Sequence, residues 1–239
     1  MAGESPNRRS ASAPAVRVLH VDDDPALLDL TATYLERIDD AFEVRSETGV
    51  GDALNALESA PIDCVISDYD MPEADGLTFL RRARDRGIDV PFVLFTGKGS
   101  EEIASEAIAA GATDYIQKRG GNDQYEVLAN RVRNAVDQHR SRAALAASQE
   151  RLSRFINQSP LGTIEYDEAF RIVRVNPAAE EILGYDASEL LGGTWLPFVP
   201  ETERRHVAAL ERDLLSDKGG YQSVNENVRS DGERIRCAW

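Results

Sequence analysis

The sequence predicts an α/β fold: a doubly wound, five-stranded parallel sheet, a long linker helix and then a smaller α+β domain. Three observations carry that expectation. Between residues 16 and 120, short apolar runs alternate with amphipathic helical patterns, and several runs are apolar on both faces. Strands of that kind are covered by helices on each side of a parallel sheet. Residues 122–159 then contain neither glycine nor proline. Beyond Pro160 the order becomes two strands, helices and two further strands, as in an antiparallel α+β unit.

In the first part, the expected strands are Val16–Val21, Phe42–Glu47, Ile62–Ser67, Pro91–Phe95 and Asp114–Gln117. Between them the periodicity predicts helices over Pro25–Ile38, Val50–Ser59, Gly76–Arg86 and Ser100–Ala110. Asp24 followed by Pro25 fits an N-cap and first helical position, and Gly111 fits a helix C-terminus.

Helix formers dominate from Asp123 to Asn157, so one helix of roughly 50 Å follows from 1.5 Å per residue. Leu128, Val132, Ala135, His139, Arg142 and Ala146 form a heptad seam of uneven quality. A solvated connector and a dimeric coiled coil both satisfy that pattern. Further on, Thr163–Tyr166 and Ile172–Asn176 read as strands around an acidic turn. Asn176-Pro177 opens a short helix stopped by Gly184, and Asp186 caps another. A helix over about Thr202–Leu215 precedes strands Tyr221–Arg229 and Arg234–Trp239. The expected division is a disordered tail over 1–14, a first domain over 15–121, a linker helix over 122–158 and a second domain over 159–239.

Composition narrows the function classes. The formal charge of −15 disfavours contact with phosphate backbones, so no nucleic-acid partner is expected. No apolar stretch reaches the roughly 18 residues of a membrane span, and the first residues lack the apolar core of a signal peptide. Two distant cysteines, Cys64 and Cys237, make no disulfide framework and point to a reducing cytoplasm. Only Lys98, Lys118 and Lys218 among 27 basic residues are lysine. Acid-rich, lysine-poor composition points to a halophilic cytoplasm, with an ordinary acidic protein as the alternative.

The chemistry lies at the ends of the expected strands. Val21-Asp22-Asp23-Asp24 ends the first, Ser67-Asp68-Tyr69-Asp70-Met71-Pro72 the third, Phe95-Thr96 the fourth, and Lys118 the fifth. In a parallel sheet these ends share one edge, where ligands bind. Carboxylates with phosphate oxygens and waters suit Mg²⁺, an ionised aspartate is a phosphoryl acceptor, and a neighbouring ammonium neutralises the charge that gathers. Asp24 reads as a helix cap, and His20 as a structural residue in a buried strand.

These motifs, in this order over residues 15–121, resemble the receiver domain of two-component response regulators. The resemblance implies a flavodoxin-like fold in which Asp68 is the phosphoacceptor. Asp23, Asp22 largely through water, Asp68 itself and the backbone carbonyl of Asp70 would hold the metal. It also implies that Thr96 and Tyr115 are the hydroxyl and aromatic that shift on phosphorylation, and that Lys118 contacts the phosphoryl group. One departure stands out: the family has proline after the lysine, whereas Arg119-Gly120-Gly121 follows here.

Residues 151–239 resemble a PAS domain through Gly162-Thr163-Ile164, Arg174-Val175-Asn176-Pro177, Ile182-Leu183-Gly184-Tyr185 and Glu189-Leu190-Leu191-Gly192. That fold surrounds a small cavity and ends with one more strand than is found before Trp239, so this unit is expected to be incomplete. No flavin-reactive cysteine motif is present, and His206 reads as a solvated helix position, which leaves the ligand undetermined and a packed, empty interior as the expectation. Together the resemblances imply phosphorelay signalling, with a sensor histidine kinase as phosphodonor and a homodimer formed through the linker or PAS unit. The chain would not be an enzyme beyond its own phosphoryl acceptance and hydrolysis. The front of a hybrid sensor kinase, a non-phosphorylated binding module and a flavin enzyme are the rivals.

Overall fold

The computed structural model describes residues 14–97, 101–216 and 222–239. The chain divides into two compact units between Ala144 and Leu145. Residues 1–13 of the expected tail, Ser100 at a predicted helix start and Tyr221 at a predicted strand start lie outside the described residues.

In the first unit, strands β1 (Val16–Val21), β2 (Phe42–Glu47), β3 (Cys64–Ser67), β4 (Phe92–Thr96) and β5 (Asp114–Gln117) alternate with helices α1 (Pro25–Ile38), α2 (Val50–Ser59), α3 (Gly76–Asp85) and α4 (Glu101–Ala109). Every pairing is parallel, in the order β2-β1-β3-β4-β5. The direction of winding reverses between β1 and β3, which opens a crevice at their carboxyl ends.

Alternation along the strands splits the core into two layers. Leu19, Val21, Val65 and Leu94 face Leu54, Leu77, Phe79 and Leu80 on one side. Val18, Ile66, Val93 and Phe95 face Leu35 and the start of helix α5 (Asp123–Gln158) on the other. His20 shares β1 with these residues, is fully buried, and neither ring nitrogen has a hydrogen-bond partner. Burial first, then Lys118, pushes its pKa down to about 3, so it is neutral.

Of the residues read as the front of a heptad seam, Leu128 and Val132 are buried in this second layer, and Ala135 is buried beside them on the helix. Their periodicity reports a face packed on the first unit's own sheet. Each of the two larger side chains contributes about 1.5–3 kcal/mol through burial. Arg140, one turn further, donates to the carbonyl of Ala15 at 2.6 Å and pairs with Asp63 at 2.9 Å. Arg17 holds the same carboxylate, and together the two guanidiniums keep Asp63 at about 2 despite partial burial. Residues 141–152 of α5 are exposed throughout.

The second unit holds β6 (Ile164–Tyr166), β7 (Ile172–Val175), α6 (Pro177–Leu183), α7 (Ala187–Leu190), α8 (Arg204–Leu215), β8 (Val224–Val228) and β9 (Arg234–Ala238). Asn176 caps α6 through Ala179 N–H and also donates to the carbonyls of Ile156 and Leu161, tying the end of α5 to β7. The strands form two antiparallel pairs, β6–β7 and β8–β9, with no pairing between them among the described residues. The two hairpins surround one core of Ile172, Leu183, Leu190, Trp195 and Phe198. No helix among the described residues is long and apolar enough to cross a membrane.

Candidate functional site

Register sets the site. Val21 pairs with Ser67, so the next residues, Asp22 and Asp68, emerge side by side at the edge of the two central strands. The Asp68 N–H donates to the carbonyl of Val21 at 2.8 Å, which fixes that level. Both carboxylates are deeply buried, 2% exposed at Asp22 and 6% at Asp68.

Lys118 reaches them from β5, where its own N–H donates to the carbonyl of Thr96 at 2.7 Å. Its Nζ lies 2.7 Å from Asp22 Oδ2 and 2.7 Å from Asp68 Oδ1, with the side chain only 18% exposed. The remaining carboxylate oxygens are also held: Asp24 N–H donates to Asp22 Oδ1 at 3.0 Å, and Asp70 N–H to Asp68 Oδ2 at 2.8 Å. One ammonium therefore bridges two buried carboxylates that would otherwise repel each other. Burial pushes the Asp22 pKa up, and the Lys118 and Asp24 hydrogen bonds pull it back only in part.

The other predicted residues take distinct positions. Thr96 is buried at the end of β4. Tyr115 stands opposite Leu94 in the β4–β5 register and packs half-buried against the first core layer. Asp23 is exposed, and its carboxylate is not drawn into the Lys118 bridge; it lines an adjoining cleft of about 510 Å³ with Asp52, Met71 and Glu73. Asp70 is exposed and enters the site through its backbone. Asp24 caps α1 by accepting from Ala26 N–H at 2.9 Å.

The donor set fits a hard divalent cation that keeps much of its water. Among the described residues no group of three or more His, Cys, Asp or Glu side chains is placed to hold a metal. Mg²⁺ takes only one or two protein carboxylates and completes its shell with water and phosphate oxygens. Asp22, Asp23 and Asp68 at one edge, against one ammonium, leave negative charge for such an ion to offset.

Two residues that sequence reasoning passed over shape the site. Gly76, read only as a helix start, packs against the carbonyl of Asp68 so closely that a Cβ would stand 2.3 Å from it. Gln124, in the first turn of α5, accepts the Arg119 N–H at its Oε1 (2.9 Å) and donates from Nε2 to the carbonyl of Gly121 (3.0 Å). No described peptide bond is cis, and Gly121 takes φ +102°, a conformation L side chains rarely adopt. The segment Arg119-Gly120-Gly121 thus has its own clamp in place of the family's proline. Its signal was the pairing of a missing proline with a glutamine one helical turn on.

The response regulator receiver domain matches residues 18–158. This chain belongs to that family. The PAS fold matches residues 150–238, so the receiver is followed by a PAS domain. The response regulator SaeR of Staphylococcus epidermidis is 36% identical over 101 residues, covering 42% of this chain and 43% of SaeR. SaeR of Staphylococcus aureus is 32% identical over the same length. The chain thus spans less than half the length of these relatives. Among solved structures, a CheY-like receiver from Methanospirillum hungatei is 26% identical with a TM-score of 0.48, covering 54% of this chain and 98% of that one. The chemotaxis protein CheY4 of Vibrio cholerae is 27% identical with a TM-score of 0.46, covering 49% and 98%.

Proposed function

We propose that the receiver unit acts in two-component phosphorelay signalling by accepting a phosphoryl group on Asp68. The observation that carries this reading is the Lys118 ammonium held 2.7 Å from both Asp22 and Asp68 in a nearly buried edge crevice. The phosphodonor is a phosphohistidine of a sensor histidine kinase. An Asp68 carboxylate oxygen forms a bond to phosphorus while the phosphorus–nitrogen bond breaks, and its electron pair stays on the imidazole. Lys118 pairs with Asp68 at 2.7 Å beforehand and follows the charge onto the phosphoryl oxygens. The Asp70 N–H orients the second carboxylate oxygen. Thr96 supplies a hydroxyl at the end of β4 for a phosphoryl oxygen, and movement there is passed to Tyr115.

Asp22, Asp23, Asp68 and the Asp70 carbonyl are the residues that would hold Mg²⁺, which when bound supplies charge neutralisation at the phosphoryl oxygens. The α5 helix continues unbroken from Asp123 to Gln158 and would carry the change toward the PAS unit. Changed amide exchange beyond residue 121 on phosphorylation would support that route, and an unchanged pattern would end it.

The test of the phosphoryl acceptance is intact-mass spectrometry after treatment with acetyl phosphate and Mg²⁺. Wild type should gain one phosphoryl group and Asp68→Asn none. An unmodified wild type would leave the receiver fold acting as a binding module only.

A further inference from the structure

The second unit contains a cleft of about 150 Å³ between the two hairpins and α8. A cavity of about 150 Å³ in another protein accommodates benzene, which sets the ligand at roughly six to eight heavy atoms. Drug-sized and cofactor-sized ligands occupy roughly 300–1,000 Å³, so the space is too small for a flavin or haem.

The walls have an unusual chemistry for so small a space. Five aromatic rings line it: Tyr166, Phe170, Trp195, Phe198 and Trp239. Tyr166 and Phe170 stack with centroids 4.6 Å apart, and Phe198 lies 6.4 Å from Trp239. Glu211 is the one charged side chain among the described lining residues, and no Arg, Lys or His joins it there. Its Oε2 accepts from the neutral Trp195 Nε1–H at 2.9 Å, which orients the carboxylate without cancelling its charge. That charge is felt across the cleft: the Tyr166 hydroxyl is pushed up to about 12, by burial first and by Glu211 second.

Aromatic faces carry negative potential and hold cations, quaternary ammonium groups above all. A lone carboxylate among them adds to that potential and repels anions. Metal ligation is disfavoured: Glu211 is the one carboxylate, and the Asn225 and Asn227 amides in the same wall are engaged with each other, the Phe198 carbonyl and Trp239 Nε1–H. We propose that this cleft binds a small methylated ammonium cation, its methyl groups against the aromatic walls and its charge directed to Glu211. The proposal goes beyond the phosphoryl chemistry of the receiver unit and does not rest on it.

The chain has only two tryptophans, and both line the cleft, so intrinsic fluorescence reports its occupancy. The full chain would be titrated at constant ionic strength with choline and with dimethylbutanol, the neutral isostere with carbon in place of nitrogen. Choline should change the fluorescence saturably and bind at least about tenfold more tightly than the alcohol. Glu211→Gln keeps an acceptor for Trp195 Nε1–H, and should weaken choline about tenfold while leaving the alcohol unchanged. Equal affinity for the two compounds in wild type would overturn the proposal, as would no saturable response to choline. So would a folded Glu211→Gln variant that binds choline as wild type does. The wild-type comparison decides the matter even if that variant fails to fold.

Discussion

The backbone of Gly76 lies directly against the carbonyl oxygen of Asp68, with room for a hydrogen and none for a methyl group. A Cβ at Gly76 would stand 2.3 Å from that oxygen and 2.7 Å from Leu94 Cδ2. The first turn of α3 and the Asp68 peptide therefore move together. Gly76→Ala should destabilise the receiver by about 1–3 kcal/mol, the usual cost of overpacking. Because the displaced atom belongs to Asp68, phosphorylation should also slow. Urea titration and phosphorylation rate measured on one preparation check both, and unchanged values would refute the close contact.

Removing the ammonium of Lys118 should be costly twice over. Lys118→Met leaves Asp22 and Asp68 buried and facing each other, at a cost of about 3–5 kcal/mol. The Asp22 pKa, already raised by burial, should rise further. Loss of a charge-stabilising donor should lower the rate of Asp68 phosphorylation by about 10²–10³. Denaturant midpoints and acetyl phosphate kinetics read the two effects separately.

Acid should destabilise the fold in two stages. His20 is neutral when folded, with a value of about 3 against 6.5 unfolded. The unfolded chain therefore binds the extra proton, and stability falls as pH drops from 6.5 toward 3, by up to about 1.4 kcal/mol per pH unit. Asp63 acts lower: its folded value of about 2, against 3.8, means its contribution is present above 3.8 and lost toward 2. Asp22 has the opposite sign, since a raised carboxylate favours the fold most at low pH. His20→Leu should flatten the stability profile from 6.5 down to 3.8 and leave the lower limb. A variant with the wild-type slope in the upper window would show that His20 is not its source.

Gln124→Ala should release the loop that follows Lys118. The Arg119 amide loses its acceptor, and exchange at that N–H should quicken by about fivefold to tenfold, in line with a net hydrogen bond of about 1 kcal/mol. Phosphorylation should slow while global stability changes little. Gln124→Glu retains an oxygen for Arg119 and should restore its protection.

The strands and helices around the site were legible because burial leaves a direct mark on composition. Phe92-Val93-Leu94-Phe95 is apolar on both faces and lies buried between two helical layers. Asp24-Pro25 and Asn176-Pro177 cap helices by local hydrogen bonds that need no distant partner. The strand-end positions of Asp22, Asp68, Thr96 and Lys118 follow from the same pattern. The seam beginning at Leu128 was harder, because periodicity shows that a face is buried and is silent about what covers it.

The elements, their alternation and the acidic residues at the strand ends could be read from composition and spacing, since those depend on local propensity and on which side chains avoid water. Packing in three dimensions was needed to reveal that Lys118 bridges two carboxylates, that Gly76 must lack a side chain, and that Gln124 clamps the next loop. It alone assembled a cleft from rings spread between Tyr166 and Trp239. Such contacts join residues far apart in the chain, at distances set by sheet register and helix packing, and no local pattern encodes them.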